Sequence, residues 1–239
     1  DLSSVKVWIC TGAPFSYEKI RDFEAHMPGR ILQGYGMTET TSACAVDDLS
    51  IERPPGSCGR ILKDVEVVVR DEAGKPLPPG EIGEITCRSD FNVSGYLDNP
   101  EADKEAFRDG WLWTGDMGYQ KDGHLYFMDR KKRMICVNTS KVYPTRVEEA
   151  VFALGLFREV ACVGAPSATT VEAPVVFFVK KEANAQLTTP MLQGMLKNVL
   201  RSYEVPVDFV EMDALPRQNA IKLNYIEMAE IYKKRLGLV

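Results

Sequence analysis

Four short stretches of this chain combine residue types that can handle phosphate, hydroxyl and carboxylate groups. In QGYGMTETT, residues 33–41, Gly34 and Gly36 permit a sharp turn and the close approach of a ligand, while Thr38, Thr40 and Thr41 supply hydroxyls and Glu39 a carboxylate. That set suits a phosphate oxygen together with Mg²⁺, which takes oxygen ligands and commonly bridges substrate phosphates. It suits equally a polar loop in which Thr38 or Thr40 caps a helix, and both readings stand. In GWLWTGDMGY, residues 110–119, Asp116 follows Gly115. Such an Asp is an ordinary turn former, yet a carboxylate held in a turn can also accept both hydroxyls of a ribose. LPRQNAIKLNY, residues 215–225, carries Lys222 in a loop after a strand, where a lone lysine is ordinarily a solvated charge. DRKKRMICVNTSKVYP, residues 129–144, sets four cations in a row, Arg130, Lys131, Lys132 and Arg133, before turning apolar. That run reads as a nucleic-acid patch, a strand end or a working part of an enzyme.

Bulk properties narrow the choice. The chain has 239 residues, 45% hydrophobic and 26% charged, with a formal net charge of -5, which fits an ordinary globular protein of one large or two modest domains. A phosphate-backbone binder needs a broad basic field, so on an acidic chain the cations at 130–133 are a local feature and no nucleic-acid partner is expected. No apolar run approaches the ~20 residues of a membrane span, and DLSSVKVWICTGAP has no secretory pattern. The six cysteines include no CxxC pair, and with two histidines no zinc pattern forms. Most lie in apolar, strand-like surroundings, as expected of reduced core residues in a cytoplasmic protein.

The elements that must position these residues are legible from pattern. VKVWIC (5–10) reads as a strand, residues 16–29 as a helix with Ile20, Phe23 and Met27 on one face and Ser16 as N-cap, and RILQGYG as a second strand. That order predicts a βαβ piece and a parallel pair. From about 51 to 128, short β-rich runs alternate with Pro and Gly, and Asp122-Gly123 signals a hairpin, so antiparallel structure is expected. After Pro144 an α+β unit is expected: a helix capped by a Thr145/Glu148 box, strands at REVACVGAP, APVVFFVKK and VPVDFVEM, a helix opened by Thr189-Pro190 with Leu192, Met195, Leu196, Val199 and Tyr203 on one face, and a last helix capped by Asn224 and Glu227.

Taken together and in order, these stretches resemble the adenylate-forming superfamily of acyl-CoA synthetases, carrier-protein-loading adenylation domains and luciferases. TGAP at 11–14 is similar to the family's GGAP-like turn, QGYGMTETT to YGxTE, GEITCRSDFNVSGYLDNPE to GEL…GYxxxPE, and GWLWTGD to GWxxTGD. DGHLYFMDRKKRMI is similar to DGxLxxxGRxKDxI, KVYPTRVEE to its continuation, and LPRQNAIK to LPRTxxGK. The resemblance implies an α/β fold: residues 1–128 as the C-terminal part of a large nucleotide-binding domain (1–50 the βαβ piece, 51–128 a β-rich subdomain), 129–133 a hinge and 134–239 a mobile α+β lid. It implies ATP-dependent activation of a small-molecule carboxylic acid to an acyl-AMP and transfer to the thiol of coenzyme A. A carrier-protein phosphopantetheine as acceptor, and a non-catalytic AMP-binding module, are the alternatives.

Residue by residue, the resemblance implies that Gly12, Ala13 and Pro14 line the adenine and that Tyr35 stacks on it. Thr38 contacts the α-phosphate, Glu39 holds Mg²⁺, and Asp116 and Arg130 take the ribose hydroxyls. Lys222 bridges the substrate carboxylate and α-phosphate, and Lys132 is the pivot; Lys131 and Arg133 are expected to be solvated. The chain departs from the pattern at Asn138-Thr139, where the family often has Gly, at Ile221 before the lysine, at Ser89 and at Arg133. A β-branched Thr139 is poorly suited to a left-handed turn. The family's phosphate loop is not found in these residues, so the chain is expected to be the C-terminal portion of a longer enzyme and inactive alone.

Overall fold

The computed structural model describes residues 1–12, 15, 17–167, 169–182, 186–219 and 222–238. They fall into two compact units, Asp1–Lys131 and Lys132–Val239.

The first unit begins as its periodicity predicts. Strand β1 (Val7–Cys10), helix α1 (Tyr17–His26) and strand β2 (Arg30–Tyr35) form a βαβ piece with the two strands parallel, Val7 opposite Arg30 and Cys10 opposite Gln33. Ile20 buries α1 against the sheet; the expected N-cap, Ser16, lies outside the described residues. The sheet then turns antiparallel through β3 (Ala45–Val46), β4 (Arg60–Ile61), β5 (Glu66–Arg70), β6 (Gly83–Arg88), helix α2 (Pro100–Ala106), β7 (Phe107–Arg108), β8 (Trp111–Lys121) and β9 (His124–Arg130). Its spatial order is β1-β2-β3-β4-β9-β8-β6-β5, with β7 paired to β8. β8 and β9 are joined by Asp122-Gly123, both at positive φ (50° and 76°), the mirror-image turn that matches strand twist. Tyr35, Cys44, Ile85, Cys87, Leu112 and Leu125 fill the core between these strands.

Gly36 is where this arrangement is tightest. A Cβ there would lie 1.7 Å from the Ser42 carbonyl oxygen and 2.6 Å from the Ala43 Cα. The chain folds back on itself just after β2, and only a residue without a side chain lets residues 42–43 pass.

The second unit is a three-stranded sheet covered on both faces. β12 (Phe157–Pro166) and β13 (Glu172–Lys180) are antiparallel, and β14 (Asp208–Glu211) adds parallel to β13. Alternate residues of β13 feed two cores, as a strand buried on both sides must. Val176 and Phe178 pack with α3 (Pro144–Phe152) and α4 (Thr189–Leu196); Val175, Phe177 and Val179 pack with α5 (Tyr225–Arg235). Two hairpins complete the unit, β10 (Ile135–Val137) with β11 (Ser140–Val142), and β15 (Arg217–Gln218) with β16 (Lys222–Leu223). Asn224 caps α5 as expected, its Oδ1 accepting the Glu227 N–H at 3.2 Å.

Three expectations are corrected. α3 starts at Pro144 after Tyr143 with no side-chain cap, so Thr145 and Glu148 form no capping box; Pro at the first helical position pre-sets the backbone instead. α4 ends at Leu196, and Met195 and Val199 are exposed while Leu192, Leu196 and Leu200 are buried. At the 138–139 turn only Asn138 has a positive φ, 54°, so the left-handed position falls on the residue that tolerates it and Thr139 escapes strain.

Replacing Gly36 with alanine is expected to cost more than about 3 kcal/mol, because the clash is with backbone and no rotamer change relieves it. Urea unfolding of the variant measures it.

Candidate nucleotide site in the first unit

The parallel pair delivers residues to its carboxyl ends, the edge at which open α/β sheets bind ligands. Gly12 follows β1 at φ 80°, and Tyr35 closes β2. Ala13 and Pro14, expected beside the adenine, lie outside the described residues. Just beyond β2, Thr38, Glu39 and Thr40 form a single 3₁₀ turn. Thr40 is the structural threonine: its Oγ1 accepts the Met37 N–H at 3.1 Å and lies 2.9 Å from the Met37 carbonyl. Thr38 is exposed. The structural reading of this stretch thus falls to Thr40, and the Thr38 hydroxyl is left at the surface.

Asp116 sits in the middle of β8, directly across the ladder from Arg130 in β9. It is 2% exposed. The Tyr35 hydroxyl donates to its Oδ2 at 2.8 Å, across 81 residues of sequence. The Arg130 Nε lies 2.9 Å from Oδ1, but no N–H is aligned with that oxygen, which has no hydrogen-bond partner. A buried carboxylate oxygen left with charge compensation but no donor is costly and is suited to a ligand hydroxyl.

Burial pushes the Asp116 carboxyl above the usual carboxylate range; the Arg130 guanidinium and the Tyr35 hydroxyl oppose this, and Asp129 and Glu84 reinforce it. Burial, with Asp116 beside it, also pushes the Tyr35 phenol well up, so Tyr35 remains a donor at neutral pH. Tyr35 as a whole is 8% exposed and packs in the core of the first unit.

Glu39 is held from the GYLDNPE stretch. The Tyr96 hydroxyl donates to its Oε1 at 2.6 Å, and the Val93 N–H to its backbone carbonyl at 2.9 Å. This bond is the main reason the Tyr96 phenol is pushed up to about 12. No group of three or more acidic, His or Cys side chains able to hold a metal occurs among the described residues. Glu39 alone matches the sparse protein ligation of Mg²⁺, which relies on substrate phosphates for its other ligands.

Two residues with no role read from the sequence belong to this site. Tyr96 is one. Glu84, 6% exposed, is the other: its Oε1 accepts the Gly115 N–H at 3.2 Å and its Oε2 the Lys131 ammonium at 2.6 Å. Its signal in the sequence was the Gly-Glu pair opening β6, a charge inside an otherwise buried strand. Lys131 is thus paired rather than simply solvated.

In the second unit Lys222 is exposed, in β16 opposite Gln218, next to Ile221, which lies outside the described residues. Lys132 is exposed and is the first residue of that unit. Arg133, also expected to be solvated, is 20% exposed and bonded to Glu148 at 2.6 Å.

Comparison with known proteins identifies the family and the fold. The model of the AMP-binding enzyme family matches residues 1–97, and that of the AMP-binding enzyme C-terminal domain matches residues 146–222. The long-chain-fatty-acid–CoA ligase of Salmonella typhimurium is 36% identical over 194 residues, covering 81% of this chain and 34% of the relative. The 2-succinylbenzoate–CoA ligase of Bacillus licheniformis is 36% identical over 81% of this chain and 40% of the relative. Among solved structures, ATP-bound MatB from Rhodopseudomonas palustris matches with TM-score 0.88 at 29% identity, over 96% of this chain and 46% of that one. O-succinylbenzoate CoA synthetase from Bacillus subtilis, in complex with ATP and magnesium ion, matches with TM-score 0.81 at 27% identity, over 93% and 46%. The chain therefore spans between about a third and just under half of the length of these relatives.

For an Asp whose folded pKa lies above its unfolded value, the stabilising contribution is complete below about pH 4 and is lost as pH rises through the folded pKa. Asp116→Asn is therefore expected to raise thermal stability at pH 7, with the gain shrinking as pH falls toward 4, and to weaken AMP binding; melting curves across pH and calorimetry check both. The buried acceptor in β8, the tight turn after β2 and the matches to both family models lead to one assignment: this chain belongs to the adenylate-forming superfamily of AMP-binding enzymes.

Proposed function

We propose that these residues serve an ATP-dependent acid–thiol ligase, which converts a carboxylic acid to an acyl-AMP with release of pyrophosphate and then passes the acyl group to the thiol of coenzyme A. The observation that carries the reading is Asp116 Oδ1, a buried acceptor without a donor beside a guanidinium. A ribose diol supplies the missing donors.

In this reading Tyr35 fixes Asp116 through its hydroxyl and offers its ring edge to the adenine, which Gly12, Ala13 and Pro14 border. Arg130, charge-paired with Asp116, orients the second ribose hydroxyl. Thr38, the exposed hydroxyl of the 3₁₀ turn, contacts the α-phosphate. Glu39, steadied by Tyr96, would hold Mg²⁺, whose charge offsets that of the phosphates when bound. Lys222 is proposed to stand between the acid's carboxylate and the α-phosphate, where an ammonium offsets the charge that builds as the two anions approach. Residues 1–128 then act as the nucleotide-binding portion, 129–133 as the hinge with Lys132 at its pivot, and 134–239 as the lid.

Coenzyme A is favoured over a carrier protein as acceptor because the curated relatives named above are CoA ligases. Their acids differ, a long-chain fatty acid and 2-succinylbenzoate, so the acid here is stated only as a small-molecule carboxylic acid. No helix among the described residues is long and apolar enough to cross a membrane, and a cytoplasmic setting is part of the proposal.

Lys222→Ala in the full-length protein is expected to lower ATP–pyrophosphate exchange by at least about 10²-fold, the scale of a lost electrostatic contact to the transition state. Unchanged exchange would remove Lys222 from the mechanism. CoA-dependent thioester formation, against loading of a phosphopantetheinylated carrier, separates the two acceptors.

A further inference from the structure

Lys222 reaches its position on a hairpin whose fixing points are visible within the second unit. On one side, Arg217 of β15 pairs with Glu159 of β12. The base is closed by the Asn224 N–H donating to the Pro216 carbonyl at 2.8 Å. On the other side, three positions after Lys222, Tyr225 begins α5, and the Arg133 guanidinium lies 3.8 Å from the centre of its ring. Arg133 is itself anchored: its Nη2 is 2.6 Å from Glu148 Oε1, with the two side chains 20% and 17% exposed. The same Glu148 oxygen accepts the Cys162 N–H of β12 at 2.9 Å. The carboxylate is thus tied to the sheet and cannot follow Arg133 if that side chain moves.

We infer that Arg133 is a positioning residue for Lys222, stacking on Tyr225 and pairing with Glu148 so that the β15–β16 hairpin holds the lysine at a set reach from the sheet. The inference rests on the adenylation role proposed for Lys222. It assigns work to a residue that departs from the acidic one common at this place in the family. The chemistry needs arginine. A planar guanidinium can lie flat on an aromatic face while its edge meets a carboxylate; an ammonium can do only one of these well. The Arg133 side chain thereby joins the segment just after the unit boundary to the start of α5, next to the lysine-bearing hairpin.

The test compares Arg133→Lys, Arg133→Ala and Tyr225→Leu in the full-length protein, with Lys222→Ala as reference. Tyr225→Leu removes the stack and leaves the Arg133–Glu148 pair in place. Three quantities are read: ATP–pyrophosphate exchange, thioester formation from preformed acyl-AMP, and amide hydrogen exchange over residues 217–225. Each Arg133 and Tyr225 variant is expected to lose adenylation by roughly ten- to a hundredfold, the scale for displacing a positioned group by about 1 Å. The thioester step should stay within about twofold of wild type. Protection at 217–225 should fall while that of β12 and β13 is retained. Equal losses in both half-reactions would mean general destabilisation and overturn the inference. So would undiminished adenylation and unchanged protection in a protein where Lys222→Ala is inactive. If Lys222→Ala itself leaves adenylation intact, the functional reading fails; the hydrogen-exchange result still decides separately whether Arg133 holds the hairpin.

Discussion

A buried carboxylate that is only half satisfied organises the first unit. Asp116 lies in the middle of the long strand β8, reached by Tyr35 from the parallel piece and by Arg130 from β9. Burying it costs solvation, and the fold recovers part of that cost through one hydrogen bond and one ion pair. Oδ1, paired in charge with Arg130, still lacks an aligned hydrogen bond. A hairpin and one strand 81 residues away meet at it, so the sheet order, the Asp122-Gly123 turn and the fold-back after β2 all bear on its placement.

The same economy recurs nearby. Glu84 is buried and spends its two oxygens on the Gly115 backbone amide in β8 and on Lys131, the last residue of the first unit. Glu39 spends one oxygen on Tyr96, and its second has no donor among the described residues. Glu84 is thus fully engaged by protein and braces the strand that carries Asp116, whereas Glu39 is fixed through one oxygen only.

Much of this was legible in the sequence because the signals were local. The alternation of β-rich runs, Pro-Gly punctuation and the Asp-Gly pair announced the antiparallel sheet, and Asn224 announced its helix. The α/β class followed from the strand–helix–strand start. What was not legible depended on contacts between distant segments. Nothing in QGYG predicts that the Tyr35 hydroxyl will meet a residue 81 positions on, nor that Glu84 will take Lys131. Arg133 looked like one of four equivalent cations, and only the packing of α3, β12 and α5 around it sets it apart. The capping box failed for a local reason: Pro144 starts the helix one residue early, so Thr145 is not its N-cap, and Glu148 is drawn off to Arg133 and Cys162.

In the proposed function Asp116 Oδ1 accepts from a ribose diol. Calorimetric titration of the protein with AMP and with 2′,3′-dideoxy-AMP tests it most directly, because the two share base and phosphate and differ only in the donors at issue. The account predicts that AMP binds at least about tenfold more tightly, the effect of leaving a buried charged acceptor unpaired, and that the difference vanishes in Asp116→Asn. Equal affinity of the two nucleotides for the wild-type protein would contradict it.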